Sequence, residues 1–197
     1  ARLSEPKVGA TRAALAMHHR ARRGAIRAAA ADAQRQLLAL VVTAPEPVRA
    51  RLRGRSTDTA VSTAAAWRVP ALSAAHRLDE VTAIEVLRDL ARRVRYLHAE
   101  AKAHEKKISE LVRSWRPDLL TVVGVGPTVA AVILVAWSHP GRCRSAGAFA
   151  MLAGVAPIPA SSGRTVRYRF NPAGNRGLNE AFHHIVMTRK REDPLTQ

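Results

Sequence analysis

The residues best suited to chemistry lie between Ala156 and Gly177, in the stretch APIPASSGRTVRYRFNPAGNRG. It holds two adjacent serines before a glycine, four arginines and a second glycine-rich turn. A serine hydroxyl becomes a nucleophile once a base takes its proton or a metal lowers its pKa, and arginines stabilise charge on phosphoryl oxygens. The pattern therefore fits attack on a phosphodiester by Ser161 or Ser162. Serine and glycine also dominate ordinary surface turns, so a basic loop capped by serine is the alternative.

The residues after the serines predict a short strand with a basic face. Apolar side chains at Val166, Tyr168 and Phe170 alternate with arginines, which is the period of a strand. Asn171–Gly174 predicts a turn, and Asn175–Arg191 predicts a final helix. Five residues of this region are predicted to contact DNA: Arg164, Arg167, Arg169, Asn175 and Arg176.

A second candidate nucleic-acid contact lies upstream, in the apolar stretch from Leu119 to Ala136. Gly124 and Gly126 precede a helix that opens with Pro127 and Thr128, and both features mark a helix start. The arrangement resembles a helix-hairpin-helix element, in which free N–H groups at the helix start bind phosphate. Gly124, Gly126 and Thr128 are therefore predicted DNA contacts. An ordinary buried joint between two helices is the alternative.

The composition favours a polyanionic partner. The chain has 32 Lys and Arg against 15 acidic residues, a net charge of +17 over 197 residues. The surplus lies at the two ends: residues 1–55 carry +9, residues 56–136 carry +2 and residues 137–197 carry +6. Nucleic acid is the first candidate for such a partner. A membrane surface is a poor alternative, because the basic helices lack an aromatic and leucine-rich face.

Two long helices dominate the chain before these motifs. Ala10–Val42 predicts one helix that Pro45 and Pro47 end. Ala71–Trp115 predicts another, with apolar residues spaced alternately by four and three, which is the seam of a coiled coil. Its two series are Ala83, Leu90, Leu97, His104, Leu111 and Leu87, Val94, Ala101, Ile108, Trp115. The seam needs a partner, either the first helix or a second copy of the chain in a homo-oligomer.

The fold class predicted is mainly α. Long antiparallel helices or a coiled coil (residues 1–116) precede a small helix-hairpin-helix-like domain with a short β element (residues 117–197). The single cysteine, Cys143, fits a reducing cytoplasm. No spacing typical of metal ligands occurs, and no apolar run is long enough to span a membrane. We therefore expect no metal site, no bound cofactor and no membrane partner in this chain.

The C-terminal motifs resemble a known family. From about Leu119 onward, the set GVG, LAGVAP, ASSGR, AGN with a leucine three residues on, and a helix that ends in a basic cluster and DP looks like the C-terminal domain of the DEDD/serine insertion-sequence transposases. That family includes the Piv invertases and the bridge-RNA-guided recombinases. The preceding helices resemble its central coiled-coil region. The sequence departs from the family at Asn179, where an arginine is common.

The resemblance implies a reaction and a set of partners. A serine before a glycine, here Ser162 or Ser161, would attack DNA and form a covalent link, while a separate RuvC-like domain would hold Mg²⁺ with four acidic residues. No such acidic strand pattern precedes Ala71, so the sequence is expected to be a fragment of a DNA transposase or recombinase that is inactive alone. The expected partners are DNA and a guide RNA, in a bacterial cytoplasm and associated with the nucleoid. A non-catalytic nucleic-acid-binding or assembly module is the alternative.

Overall fold

A computed structural model describes residues 6–73, 77–161 and 163–196, with the side chains of Ala30 and Ala31 left aside. The described chain is mainly α-helical, as predicted. It forms two compact units: residues up to His19 together with Glu105 onward, and Arg20–His104. The helices are α1 (Ala10–Arg27), a π turn (Ala28–Ala33), α2 (Gln34–Thr43), α3 (Glu46–Ala50), α4 (Thr57–Ala65), α5 (Leu78–Trp115), a 3-10 turn (Pro117–Thr121), α6 (Pro127–Trp137), α7 (Ala146–Ala153) and α8 (Arg176–Glu192). Strands β1 (Ile158–Pro159) and β2 (Tyr168–Arg169) form a short antiparallel ladder.

The first long helix has the predicted extent, with one change of hydrogen-bonding pattern. The π turn lies between α1 and α2, so the backbone bonds there reach one residue further than in an α-helix. Ala44 is extended, with φ −65° and ψ 151°. The helix ends there because the residue before a proline is driven out of the α region.

The second long helix begins later than predicted. α5 starts at Leu78, and Ala71 and Leu72 are not helical. Two carboxylates, those of Asp79 and Glu80, occupy its first turn, where the helix dipole stabilises negative charge. The residues after Pro70 offer no comparable start signal, so the prediction of Ala71 as the first helical residue was wrong.

The predicted seam of α5 is largely its buried side. Leu87, Val94, Ala101 and Ile108 are buried, whereas the alternate series is half-buried beyond Ala83. In the unit Arg20–His104, the seam residues Leu87 and Val94 share a core with Leu37 of α2. α2 and α5 are antiparallel there: Arg93 pairs with Asp32 at 3.4 Å, and Leu40 and Thr43 line a groove with Thr82 and Val86. The seam thus has a partner within the chain in this unit, and self-association along it stays a prediction.

The other unit is built on α6 and α8. Leu134 and Ile185 share a core with Leu15, Ile108 and Val112. A neighbouring cluster joins Ala136, Ala153 and Leu178, and the Phe149 and Phe182 rings meet edge to face with centroids 6.0 Å apart. This packing fixes α7 against α8, the two helices that flank the serine motif. Among the described residues, no helix combines the length and the apolar character that crossing a membrane requires.

The predicted strand is shorter than the sequence pattern suggests. Only Tyr168 and Arg169 are paired, to Pro159 and Ile158 respectively. Pro159 has no N–H to donate, and no further strand lies beside the ladder in the described chain. The alternating apolar residues Val166, Tyr168 and Phe170 are consequently exposed, at 72%, 64% and 63% of their surface.

Candidate nucleic-acid interface

Two motif glycines form the support for the serine motif. Gly154 ends α7 in the left-handed region, with φ 71°. Gly174, twenty residues later, packs against it so closely that a Cβ on Gly174 would lie 2.3 Å from the Gly154 Cα. A Cβ on Gly154 would meet the Gly174 Cα at 3.1 Å. The glycines of LAGVAP and NPAGN are therefore a backbone-to-backbone contact that admits no side chain at either position.

A buried asparagine completes this contact. Asn171 is 7% exposed; its Nδ2 donates to the Met151 carbonyl at 3.0 Å, and its Oδ1 accepts from the Ala173 N–H at 3.1 Å. The Asn175 N–H donates to the Leu152 carbonyl at 2.7 Å. The bond from Asn175 satisfies a carbonyl in the last turn of α7, where a helix leaves carbonyls without partners. The Met151 carbonyl accepts a second bond, from the Gly154 N–H at 3.1 Å. We call Gly154, Asn171 and Gly174 the glycine lock.

From the lock projects a hairpin, residues 158–161 and 163–170, which we call the arginine arm. Beyond the two-residue ladder, the Ala160 N–H donates to the Arg167 carbonyl at 2.8 Å. The Ser161 Oγ accepts from the Arg167 N–H at 3.2 Å and lies 3.5 Å from the Arg167 carbonyl oxygen. Gly163 follows with φ 58°. The Ser161 hydroxyl is thus bonded to the backbone of the turn, while Ser162 lies outside the described residues.

The arm presents cations interleaved with aromatic rings. Arg164, Arg167 and Arg169 are exposed, and none of the three forms an ion pair within the described part of the chain. Tyr168 and Phe170 are exposed between and beside them. Guanidinium groups contact phosphates and aromatic faces stack on bases, so this surface has the chemistry of a single-stranded or distorted nucleic-acid contact.

The start of α8 adds a cation to the same unit. Asn175 caps the helix, with its Oδ1 accepting from the Leu178 N–H at 3.1 Å. Arg176 is the first helical residue, and no acidic residue lies in the first turn. A cation is disfavoured at a helix N-terminus, whereas an anion there is stabilised. The predicted contact residues Asn175 and Arg176 are both exposed. They lie at a helix start, a position that favours a bound phosphate.

The glycines of the predicted helix-hairpin-helix have different surroundings from each other. Gly124 has φ 85°, and a Cβ there would lie 2.9 Å from the Ile185 carbonyl oxygen of α8. Gly126 precedes α6 in open space, and no side chain caps that helix. Thr128 is half-buried. The cleft beside the two glycines, about 430 Å³, is also lined by Glu192, whose carboxylate opposes an anion. Gly124 thus serves packing, and phosphate binding at this joint stays a prediction.

One structural pair escaped the sequence reasoning. Asp193 is buried beyond the end of α8, where Arg189 donates to its Oδ2 through both Nε and Nη2, at 2.9 and 2.6 Å. Thr196 and the Leu195 N–H bond the same carboxylate. Hydrogen bonding from Arg189, and then from Thr196, holds the pKa of Asp193 below its ordinary value. The only sequence signal was an aspartate four residues after an arginine.

The described residues do not fit a magnesium site. Within the described ranges, no three His, Cys, Asp or Glu side chains lie close enough together to share a metal ion. Near the arm the sequence supplies three acidic residues, Glu180, Glu192 and Asp193. The Asp193 carboxylate is already bonded to Arg189 and Thr196.

One comparison with known protein families matches the C-terminal part of the chain. The family model described as "Transposase IS116/IS110/IS902 family" matches residues 117–197. The match supports an insertion-sequence transposase relationship and a role in transposition or recombination. No curated protein and no solved structure matches the chain. The matched residues contain the glycine lock, the arginine arm and α8.

Proposed function

We propose that this chain carries the serine-bearing, nucleic-acid-contacting part of an insertion-sequence transposase that acts on DNA phosphodiesters. The observation that carries the proposal is the arginine arm. Its three arginines are exposed and unpaired among the described residues, and the glycine lock fixes both of its ends to helices. A rigid support positions the arginine side chains for a phosphate, and these side chains are not needed for ion pairs that stabilise the fold.

The reaction proposed is transesterification by Ser162, with Ser161 as the second candidate. A bond forms between the serine oxygen and phosphorus, the bond from phosphorus to a deoxyribose oxygen breaks, and that oxygen takes up a proton. Arg164 and Arg167 would stabilise charge on the non-bridging oxygens. They cannot accept the serine proton, so the base must come from elsewhere. Ser162 is preferred because the Ser161 hydroxyl is bonded to the Arg167 backbone.

We further propose that Mg²⁺, where this class of protein uses it, is held by carboxylates outside the arm and the lock. No step of the reaction is assigned to metal in this chain, because its described residues do not fit one. A guide RNA is a second proposed partner, since aromatic and arginine side chains together suit unpaired bases.

The test is a covalent adduct. The isolated chain with Mg²⁺ and labelled DNA is expected to give no protein–DNA link, whereas supplying a metal-holding acidic domain and guide RNA in trans should give one. Ser162→Ala should abolish that adduct, and Ser161→Ala, the matched control one residue away, should retain it. An adduct that survives replacement of both serines would contradict the nucleophile assignment.

A second candidate function is non-catalytic binding or assembly. The bonds between the Ser161 hydroxyl and the Arg167 backbone favour it, because they make this serine a cap of the turn. In that case both serine variants would bind DNA as the wild type does, and no reconstitution would give an adduct.

A further inference from the structure

A second cation cluster lies in the same unit as the arm, built from segments far apart in sequence. Pro6–Val8 is bonded along the turn after α6: the Val8 N–H donates to the Ser138 Oγ at 3.1 Å, and His139 Nε2 lies 3.2 Å from the Pro6 carbonyl oxygen. Ser138 is 2% exposed and has φ 72° and ψ −64°, and a positive φ is uncommon for a residue with a Cβ. These contacts fix the position of the backbone of Lys7.

The charge of Lys7 interacts with the charges of two arginines. Arg142 comes from the same turn as Ser138, and its Nη1 donates to the Ala136 carbonyl at 2.6 Å. Arg12 lies in the first turn of α1, after Gly9. Burial first, then the charges of Arg142 and Arg12, lower the pKa of Lys7. Like charges are thus gathered, and among the described residues no carboxylate shifts the pKa of this lysine.

Both guanidinium groups also keep a buried donor without an acceptor. Within the described chain, the Nε atoms of Arg12 and Arg142 are buried and have no hydrogen-bond partner. Buried donors normally find one, and a charged donor left alone is costly. The first turn of α1, which contains no acidic residue, contributes further N–H groups with no partner inside the helix.

We propose that Lys7, Arg12 and Arg142, with the start of α1, form an anion site for a phosphate group. A phosphate oxygen would accept from the arginine N–H groups, which match its geometry in pairs, while the Lys7 ammonium supplies a point charge. One bound dianion would offset the repulsion among the three cations. The site is separate from the arm in sequence and rests on the proposed function only for its source of phosphate, the nucleic-acid backbone.

The first experiment uses inorganic phosphate and the full chain. The unfolding temperature is compared in phosphate and in chloride at equal ionic strength, where a ligand that binds only the folded state raises it. We expect a phosphate-specific increment that Lys7→Gln/Arg12→Gln loses and Lys106→Gln, an exposed cation of the same unit, retains. In chloride the double variant should be as stable as the wild type or more stable, because it removes repulsion; a merely structural role would destabilise it. Arg142 is left unchanged because its bond to Ala136 holds the turn.

The second experiment identifies the source of the phosphate. For a DNA duplex, the double variant should lower the slope of log affinity against log salt by about 1 to 2, one for each lost contact. A lost phosphate increment with an unchanged DNA slope would instead assign the site to a small phosphate compound. Arg164→Gln/Arg167→Gln should leave the phosphate increment intact, so failure of the arm as a DNA contact is distinguishable. No increment in the wild type, or an equal increment in the double variant, would overturn the anion site.

Discussion

The glycine lock and the arginine arm are adjacent in sequence but differ in almost every physical respect. The lock is backbone against backbone, with a buried asparagine whose amide donates and accepts. The arm has a two-residue ladder, exposed arginines and exposed rings. The lock uses its motif residues for architecture, and the arm leaves its side chains free for a partner. Neighbouring residues of one stretch thus have opposite roles, which substitutions should separate.

The largest effect is expected from Gly174→Ala in the glycine lock. The added Cβ would lie 2.3 Å from the Gly154 Cα, and the nearest atoms are all backbone atoms, which cannot move aside as a side chain can. We expect a loss of about 3 kcal/mol or more in the free energy of unfolding, at the upper end of overpacking costs. Urea denaturation measures it. Gly147→Ala, in α7 where the nearest atom is the Ser145 Oγ at 3.8 Å, should be neutral or stabilising, since alanine favours a helix. If Gly174→Ala were as stable as the wild type, the close contact assigned to the glycine lock would be wrong.

The next effect in size is that of Asn171→Ala. The substitution removes two hydrogen bonds of a buried side chain, one to the Met151 carbonyl, which keeps its bond from the Gly154 N–H, and one from the Ala173 N–H. The expected cost is about 2 kcal/mol, roughly 1 kcal/mol for each lost hydrogen bond. Thermal unfolding and urea midpoints check it. Asn179→Ala, a half-buried asparagine within α8, is the matched control and should cost clearly less.

Substitutions in the arm should invert this pattern. Arg167→Gln leaves the backbone bonds to Ser161 in place, so we expect stability within about 0.5 kcal/mol of wild type. DNA affinity should fall, and its salt slope should drop by about 1 if the side chain contacts one phosphate. Fluorescence anisotropy over a salt series measures both. An unchanged slope together with lower stability would place Arg167 among the architectural residues.

The smallest expected effect is a pH dependence at Asp193. Because Arg189 and Thr196 lower its pKa from the ordinary 3.8, the folded state favours the ionised carboxylate more than the unfolded state does. The resulting stability is complete above the ordinary pKa and is lost as the pH falls through the lowered one. Asp193→Asn should therefore differ most from wild type at neutral pH, with the difference closing on acidification. Urea midpoints of the two proteins over a pH series measure the difference, and a difference that does not change with pH would contradict the prediction.

Much of the helical fold followed from the sequence, since prolines and heptad spacing act locally. The extent of the first long helix and the buried side of α5 were confirmed. What could not be predicted depends on contacts between distant segments. The sequence around each glycine does not predict that Gly154 contacts Gly174 or that Gly124 packs against Ile185. The strand was predicted too long, because alternation of apolar and basic residues does not show whether a neighbouring sheet exists to pair with them.

In the candidate site, too, the sequence predicted local features and missed contacts between distant segments. The exposed arginines were predicted from composition and spacing, and the family match to residues 117–197 supports the transposase relationship inferred from the motifs. The roles of Ser161 and Ser162 stay predictions. The Lys7, Arg12 and Arg142 cluster was not found, since its members come together only in the fold. The ion pair between Arg189 and Asp193 was missed because an arginine and an aspartate four residues apart are common on any helix.

The contact between Val8 and Ser138, 130 residues apart, also dictates an order of events during synthesis. Arg20–His104 is one continuous segment, and its core of nearby helices can form as soon as that segment leaves the ribosome. The flanking unit is discontinuous, so its first residues must wait, with their cations uncovered, until the turn after α6 has been made. Closing so long a loop is slow relative to local helix formation. The segment that precedes α1 is thus among the last parts of this unit to reach its native contacts.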